Sequence, residues 1–539
     1  MIVIPKINGK HVAGQDAGHF LLKDVLSVNA GEFAAWAVHS FASRLQQSCA
    51  IAVTVTDSGN DITLVKEPMQ SSERYELEIK PDTITLHAAN ELGAIWGLAT
   101  LYQMIIDARN SGQNKLDAQV FSDEPKFPHR GLLVDVGRHF FDVDEMKRII
   151  EEMSVYKLNV LHWHLSEDQG WRIESKVYPR LHESASNGQY YTQQQIKEIV
   201  QYAKERGVEI IPEFDIPGHS SAAISAYKEL SCFDEEIAVA SGYGVFRVVM
   251  CPGKDSTYQW IFNLLDELVE LFPSPYFHMG GDECPRDRWE RCPHCNERMK
   301  QHQLESYDDL QGYFMNQINA YLKGKGKTMI GWSDFLKASN VSQDIVIQYW
   351  LENTAESYVY PYFAAGQKMI FSDMFNFYFD YPHCMVKLRK TYEYDPKIRE
   401  HTQLSGDHIL GLEGTIWTER VLTNEQLESM ISLRIQALAE AAWTIDRDYD
   451  EFLERLKAHL QPNHIAKLIS LPFEEVALTD EQAMVTALKM MSAMKSEMSE
   501  TFTDAGISDE EKNRIGQMFN AEIFGDTDLR EFAKKMGLS

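Results

Sequence analysis

The chain of 539 residues is longer than one ordinary domain and indicates two or three. Its 52 basic and 80 acidic residues give a formal net charge of −28, which argues against nucleic acid or anionic lipid as a partner because both attract lysine and arginine. A neutral ligand such as a sugar is compatible with this charge.

The amino-terminal sequence MIVIPKINGK has no basic start, apolar run and cleavage site, so we expect no signal peptide. No stretch approaches the roughly 18 consecutive apolar residues of a membrane span, so we expect no membrane insertion. The seven cysteines are an odd number with irregular spacing, which does not describe a disulfide framework. These features predict a cytoplasmic protein and leave its oligomeric state open.

Residues 1–125 are predicted to form an α/β accessory domain. Tyr75–Ile79 and Thr83–His87 alternate apolar and polar residues, which is typical of strands, and Glu91–Asp107 has the pattern of an amphipathic helix. The segment Asp123–Pro128 contains two prolines, which disfavour helix at the preceding residue, and is predicted to be a linker.

Residues 126–462 alternate strand-like and helical segments and are predicted to form a (β/α)₈ barrel. Helical periodicity is clearest in three sets of apolar residues, around Met146–Met153, Ile196–Ala203 and Ile261–Leu268. A doubly wound sheet is the alternative, but it usually stops at five or six strands. The eight strand candidates begin near Gly131, Leu158, Val208, Tyr276, Thr328, Asp344, Gln367 and Ile409.

Residues 463–539 are polar, with a helical pattern, and are predicted to form a helical carboxyl-terminal region. The stretch Met484–Met498 is rich in methionine. Because methionine most often fills gaps in packing, we favour a helical appendage over a flexible binding surface.

Polar and aromatic residues are concentrated where the predicted strands end, which is where barrel enzymes carry their chemistry. Acidic side chains supply proton transfer and hydroxyl recognition, and tryptophan supplies a flat face for a sugar ring. This combination favours a carbohydrate, and no phosphate-binding loop or dinucleotide fingerprint accompanies it. The strand-end segments include Arg138-His139, Leu161–Trp171, Ile211–His219, Phe277–Glu283, Trp332, Trp350, Tyr378 with Asp380, and Trp417 with Glu419.

The sharpest motif is Gly280-Gly281-Asp282-Glu283. Two glycines permit a tight turn just past a strand, after which both carboxylates can face one pocket. Adjacent carboxylates near apolar walls have their pKa values driven apart, so that one stays ionised while the other holds a proton.

At these residues the sequence resembles glycoside hydrolase family 20, the β-N-acetylhexosaminidases. His278–Glu283 matches the family's central motif, and the similarity covers roughly residues 75–445, including the Leu92–Gln103 stretch of the accessory domain. Several ordered motifs make the match specific, unlike a lone motif. Further matching segments are Arg130–Asp135, His162–Trp171, Pro212–His219 and Gly411–Glu419.

The resemblance implies an exo-glycosidase that removes a terminal β-linked GlcNAc or GalNAc from a glycan or glycoconjugate, with retention. The substrate's 2-acetamido oxygen acts as the nucleophile and an oxazolinium intermediate forms, which is an exception to the usual two-carboxylate mechanism. The implied catalytic residues are Glu283 as general acid and base, Asp282 on the acetamido N–H, Tyr378 on the acetamido oxygen, and His219 with Glu167 as a relay behind the acid. The implied substrate-binding residues are Arg130, Asp168, Trp332, Trp350, Asp380, Trp417 and Glu419.

The sequence departs from the family pattern at two places. Position 167 is glutamate where many relatives have aspartate, and the adjacent Asp168 leaves the relay assignment ambiguous. Between Tyr381 and Asp395 a further pocket tryptophan is expected and absent, so one pocket wall is unassigned.

We expect neither a metal nor a cofactor. Cys284, Cys292 and Cys295, with His294 nearby, contain one C-x-x-C pair of the kind found in zinc sites, but free thiols are favoured because only that pair has ligand spacing. His162 and His164 share one face of a strand, where a hydrogen-bonded core pair is favoured over metal ligation.

Two other functions remain as alternatives. A chitin-degrading barrel with a different acid arrangement would carry alternating aspartates before one catalytic glutamate, and these are absent. A non-catalytic carbohydrate-binding barrel is disfavoured because Asp282, Glu283, Tyr378 and the tryptophans are all retained.

Overall fold

The structure is a computed structural model of the chain. It describes residues 2–9, 11–13, 18–57, 61–351, 356–381, 383, 385–398, 401 and 404–460. The predicted helical region 463–539, with its methionine-rich stretch, lies outside the described residues.

The amino-terminal part is a seven-stranded sheet in the order β1-β9-β6-β7-β5-β3-β4, beside a two-stranded sheet of β2 and β8. A short 3₁₀ turn and two helices, α1 and α2, accompany these sheets. The strands are β1 His11–Ala13, β2 His19–Leu21, β3 Val25–Asn29, β4 Ala52–Val55, β5 Ile62–Lys66, β6 Tyr75–Ile79, β7 Ile84–Ala88, β8 Lys115–Asp117 and β9 Gln119–Asp123. The helices are α1 His39–Cys49 and α2 Glu91–Asn110.

The predicted elements of this part are confirmed. Strand β6 has the predicted bounds, and its alternate residues are buried as the alternating pattern requires. Helix α2 begins at Glu91 as predicted because the side chain of Asn90 accepts hydrogen bonds from the N–H groups of Leu92 and Gly93. It continues three residues beyond the predicted end at Asp107.

The second part is a closed parallel barrel of eight strands, as predicted, and the doubly wound alternative is wrong. Each predicted strand start lies within about two residues of the observed one. Closure comes from the first and last strands, which pair over His129–Val134 and Gly411–Ile416. The barrel strands are β10 His129–Asp135, β11 Val160–His164, β14 Glu209–Glu213, β15 Tyr276–His278, β16 Thr328–Trp332, β17 Val346–Tyr349, β18 Met369–Phe371 and β19 Ile409–Ile416.

Helices surround the barrel, and a small hairpin of β12 Ser166–Glu167 and β13 Gly170–Trp171 follows β11. The three predicted helical patterns lie on α3, α5 and α7, whose apolar residues are buried against the barrel. The helices are α3 Val143–Val155, α4 Arg180–Ser184, α5 Gln193–Lys204, α6 Ser221–Ala226, α7 Asp255–Leu268, α8 Asp287–Arg291, α9 Pro293–Gln301, α10 Tyr307–Gly324, α11 Glu356–Ala364, α12 Met374–Phe377, α13 Leu388–Glu393, α14 Asn424–Ile431, α15 Arg434–Trp443 and α16 Tyr449–Leu460. Within the described ranges no helix is long and apolar enough to cross a membrane.

A buried charged network joins the amino-terminal sheet to the amino-terminal end of the barrel. The ammonium of Lys157 donates to Asp123 at 2.9 Å, and neither side chain is exposed. Tyr75 and Trp443 also donate to the Asp123 carboxylate. A buried ion pair costs desolvation unless its remaining hydrogen-bonding groups are satisfied, and here both domains supply the partners.

Candidate active site

The carboxyl ends of the parallel barrel strands meet at one face of the barrel. There β10 leads to Arg138, the β12–β13 hairpin carries Glu167, the turn after β14 carries His219, and the turn after β15 carries Asp282 and Glu283. Four separate strand ends therefore bring their polar side chains to one place.

The two glycines of the central motif have the conformation that the sequence predicted. Gly280 and Gly281 have φ of +63° and +103°, which side chains rarely adopt. A Cβ on Gly280 would lie 1.6 Å from Oδ1 of Asp215, the same oxygen that accepts the N–H of Gly281 at 3.1 Å. The turn brings the two following carboxylates toward one group, since Asp282 Oδ2 and Glu283 Oε2 each lie 3.6 Å from Nε2 of His219.

The adjacent carboxylates have different surroundings. The side chain of Asp282 is 13% exposed and that of Glu283 is 42% exposed. Burial raises the pKa of Asp282 to about 7, and the Asp334 and Glu283 carboxylates add to the rise while His219 opposes it. Oδ1 of Asp282 is buried without a hydrogen-bond partner among the described residues, which makes it an acceptor ready for a ligand N–H.

A chain of charged groups lies behind the acid. His219 Nδ1 donates to Glu167 at 2.8 Å, and Glu167 lies 3.4 Å from the guanidinium of Arg138. Burial opposes the charge on His219, but the Glu167 and Asp282 carboxylates raise its pKa well above the usual value. Burial would raise the pKa of Glu167, but Arg138 and His219 hold it well below its usual range. Both groups are therefore held in their charged forms.

Asp168 does not line the pocket, so its predicted role in binding sugar is wrong. Its side chain is 1% exposed, and its carboxylate accepts the backbone N–H of Ser221 at 2.8 Å while its carbonyl accepts that of Ala240 at 3.1 Å. It lies 3.7 Å from the His219 ring, so Glu167 is the hydrogen-bonded relay partner of the two adjacent acids. Asp168 supports the segment between β14 and α7.

The predicted aromatic residues form one continuous wall. Trp332 is 1% exposed, and its indole N–H donates to Glu213 at 2.9 Å inside the barrel, so it lies at the floor. The Trp417 ring lies 5.7 Å from Trp332 and 6.2 Å from Tyr378. Trp350 stacks on Tyr378 at 6.0 Å. Such surfaces suit the apolar faces of a sugar or an acetamido methyl group.

Asp380 and Glu419 lie on the opposite rim from the acid pair. Glu419 Oε1 is 3.3 Å from Nε of Arg138, whose guanidinium also lies over the Trp417 ring at 5.2 Å. Burial raises the pKa of Asp380 to about 8, with the Glu419 carboxylate adding to the rise. Asp380 also accepts the N–H of Trp417 at 3.4 Å. The rim thus offers donors and acceptors of the kind that bind sugar hydroxyls.

Arg130 lies away from this site, so its predicted role as a sugar ligand is wrong. It comes from the amino-terminal end of β10, is 0% exposed, and pairs with Glu73, in the turn before β6 of the amino-terminal part. The arginine at the site is Arg138, eight residues later, whose side chain is 8% exposed. Its position just past the carboxyl end of the same strand is the sequence feature that could have identified Arg138 as a site residue.

Three further residues at the site were missed. Asp334 accepts the indole N–H of Trp350 at 2.7 Å and is close enough to Glu283 to feel its charge, so it lies between the aromatic wall and the acid. Asp215 supports the glycine turn. Tyr381 packs with Tyr378 at 5.9 Å, where the sequence left a pocket wall unassigned. Asp334 and Asp215 follow strand ends and were findable from that position, but their contacts were not.

The two histidines of β11 are hydrogen bonded in the barrel interior, as predicted. His162 lies 2.7 Å from Glu413, and His164 lies 2.5 Å from Glu213. Of the three cysteines weighed as a metal site against free thiols, Cys292 and Cys295 lie together with Cys232 and Cys251, and Cys284 is not part of that group of four.

Comparisons with known proteins agree with this geometry. Residues 127–446 match the glycosyl hydrolase family 20 catalytic domain, and residues 1–123 match domain 2 of the same family. The chain is 32% identical to a β-hexosaminidase of Porphyromonas gingivalis, with 80% of this chain and 59% of that protein covered. It is 33% identical to a β-hexosaminidase of Vibrio furnissii, with 70% and 66% covered. The chain therefore spans less than two thirds of the length of each of these relatives.

Solved structures share the architecture. The exo-β-N-acetylglucosaminidase of Vibrio harveyi, determined in complex with N-acetylglucosamine, superposes with a TM-score of 0.75 at 29% identity. The alignment covers 86% of this chain and 77% of that one, so it includes both the sheet domain and the barrel.

Proposed function

The chain belongs to glycoside hydrolase family 20, and from that premise we propose that it is an exo-β-N-acetylhexosaminidase acting by substrate-assisted catalysis. Its substrates would be glycans or glycoconjugates with a terminal β-linked GlcNAc or GalNAc. The proposal rests on two adjacent carboxylates beside the imidazole of His219. Asp282 is buried and has one oxygen without a hydrogen-bond partner among the described residues, whereas Glu283 is exposed.

In the first step, Glu283 protonates the glycosidic oxygen while the acetamido oxygen attacks the anomeric carbon. Asp282 accepts the acetamido N–H on Oδ1, which aligns the oxygen and balances the positive charge of the oxazolinium. The hydroxyl of Tyr378 donates to the acetamido oxygen; burial raises the pKa of Tyr378 well above its usual value, so this hydroxyl keeps its proton.

In the second step, Glu283 takes a proton from water, which opens the oxazolinium ring with net retention. His219 lies 3.6 Å from Glu283 and is hydrogen bonded to Glu167, so His219 and Glu167 together would position the acid. The Arg138–Glu419 pair and Asp380 at the rim are placed to bind hydroxyls of the terminal sugar. This arrangement favours hydrolysis of the terminal sugar of a glycan.

The direct test uses three aryl glycosides, the 4-nitrophenyl β-glycosides of GlcNAc, GalNAc and glucose. We expect turnover of one or both N-acetylhexosaminides and little turnover of the glucoside, which lacks the internal nucleophile. A thiazoline analogue of GlcNAc should bind about 10²-fold or more tighter than substrate because it mimics the cyclic intermediate. No hydrolysis of either N-acetylhexosaminide by folded protein would contradict the proposal.

The mechanism is tested by Asp282→Asn with and without azide. The variant should lose orders of magnitude in rate because an interaction made in the transition state is removed. Azide should not restore the rate, since no nucleophile beside the anomeric carbon has been deleted. Rescue that yields an α-glycosyl azide would show that Asp282 attacks carbon directly.

A further inference from the structure

Four cysteines converge in a buried cluster outside the candidate active site. Cys232 and Cys251 come from the segment between β14 and α7, and Cys292 and Cys295 come from the segment between β15 and α10. Each is at most 5% exposed, and their sulfur atoms all lie within 4.8 Å of one another. Thiols 63 residues apart in sequence are thus brought together by the fold rather than by a local motif.

The sulfur positions have the dimensions of a tetrahedral metal site. The Sγ separations are 3.9 Å for Cys232–Cys295, 3.7 Å for Cys251–Cys292 and 3.6 Å for Cys251–Cys295. Zinc–thiolate bonds of about 2.3 Å in a regular tetrahedron place the sulfurs about 3.8 Å apart. All four sulfurs lie within 4.8 Å of one another, so they converge as one group and do not form two separate pairs.

Disulfides account for the cluster less well. A disulfide pairs two sulfurs and separates them from others, whereas here the sulfurs of Cys251 and Cys295 each lie within 3.9 Å of two others. Two disulfides would leave this fourfold convergence without a role. A single tetrahedral ion uses all four sulfurs at once.

The surroundings suit buried metal-bound sulfur. Cys292 is the N-cap of α9, so the positive end of that helix faces the cluster. Val249, Trp289 and Leu310 pack around the sulfurs and keep water away.

We propose that Cys232, Cys251, Cys292 and Cys295 bind one structural Zn²⁺. Four protein ligands leave no open position, which is the arrangement of a structural site. The ion would tie together the two segments that follow His219 and Glu283. The sequence suggested only half of this site, because the C-x-x-C pair is visible in sequence and its two distant partners are not.

The test is metal analysis of the full chain, purified without chelator and without a polyhistidine tag. Elemental mass spectrometry should give about one zinc per chain. About four thiols should be protected from alkylation until the metal is removed. Replacement with Co²⁺ under reducing, anaerobic conditions should give the charge-transfer and d–d absorption bands of tetrahedral tetrathiolate cobalt.

Variants separate the site from general effects of cysteine loss. Cys292→Ser and Cys232→Ser should each lose most of the bound zinc and the cobalt spectrum. Cys49→Ser, on α1 in the other domain, and Cys284→Ser, packed beside the cluster, should both retain one zinc. Because the wild-type metal content is measured first, a variant that fails to fold does not decide the question.

Three results would overturn the proposal. One is fully reduced, folded protein that binds neither Zn²⁺ nor Co²⁺. Another is an intact mass and peptide map showing disulfides among these four cysteines. The third is stoichiometric iron instead of zinc in protein from cells grown with both metals, since tetrahedral sulfur sites also accept iron.

Discussion

Strand β10 carries an arginine near each end, and the two differ in what surrounds them. The side chain of Arg130, at the amino-terminal end, donates four hydrogen bonds, two to Glu73 and two to backbone carbonyls. Arg138, past the carboxyl end, has one hydrogen bond to Asp135 and looser ion pairs of 3.3–3.4 Å with Glu419 and Glu167. Arg130 therefore holds the two domains together at one end of the strand, and Arg138 remains available to a ligand at the other end.

The same contrast extends to the neighbouring charges. At the amino-terminal end the carboxylate of Asp123 accepts from Lys157, Tyr75 and Trp443. At the carboxyl end, Oδ1 of Asp282 and Nε2 of His219 are buried and have no hydrogen-bond partner in the part of the chain that the structure describes. Buried polar groups normally find partners, so unsatisfied ones at a pocket indicate a place for a ligand, whereas satisfied ones indicate structure. Substitutions at the two ends should therefore separate loss of activity from loss of stability.

The largest effect is expected for Glu283→Gln, which removes the proton donor but keeps its shape. Hydrolysis of a natural disaccharide should fall about 10²–10⁴-fold, and aryl glycosides with good leaving groups should lose less at the glycosylation step. The unfolding midpoint should stay unchanged, because this side chain is 42% exposed. Glu290→Gln, on the exposed surface of α8, is the matched control. A near-normal rate on the disaccharide would rule out Glu283 as the acid.

The opposite outcome is expected for Asp123→Asn at the other end of the barrel. It leaves the Lys157 ammonium, which is 0% exposed, without its carboxylate. Breaking a buried pair in this way costs about 3–5 kcal/mol in the free energy of unfolding. Denaturant unfolding should show that loss, while kcat/KM of the folded protein stays normal. Asp117→Asn, on the exposed side of β8, is the control. Loss of activity without loss of stability would break the distinction between the two ends.

A smaller effect is expected from pH. Burial raises the pKa of Asp282 to about 7, and the proposed mechanism needs this carboxylate ionised to balance the oxazolinium charge. Because protonation removes that charge, kcat/KM should fall as the pH drops below about 7, by about tenfold per unit well below it. A pH series on an aryl N-acetylglucosaminide measures this. A rate that stays constant from about pH 7 down to about pH 5 would contradict the assignment.

The smallest effect is expected for Trp350→Phe. The ring is retained for stacking on Tyr378, but the 2.7 Å hydrogen bond to Asp334 is lost. One such bond contributes about 1 kcal/mol to stability, so the free energy of unfolding should fall by about that amount, and kcat/KM should fall by no more than about fivefold. Tyr360→Phe, on α11, is the control because it keeps an aromatic ring elsewhere in the barrel. Phe371→Leu would not serve, because the Phe371 ring is fully buried. An effect as large as that of Glu283→Gln would mean that Asp334 acts on the acid more directly than its position suggests.

Much of the fold and part of the site could be predicted from the sequence alone. Alternation in Tyr75–Ile79 and the helical period of Met146–Met153 depend on neighbours along the chain, so they determined β6 and α3 directly. The eight strand starts implied the barrel, and the barrel implied that residues at strand ends would meet. The Gly280-Gly281 pair predicted a turn, and that turn brings Asp282 and Glu283 together as expected.

What the sequence did not determine depends on contacts between distant segments. Arg130 and Arg138 are eight residues apart, and only the domain interface decides that the first pairs with Glu73 and the second faces the pocket. Asp168 and Glu167 are adjacent in sequence, and only the position of His219 selects between them. Cys232 and Cys251 join Cys292 and Cys295 because two loops fold together. Local sequence patterns specify helices and strands. The distances between side chains that are far apart in the sequence are set by tertiary packing, and a local pattern carries no information about that packing.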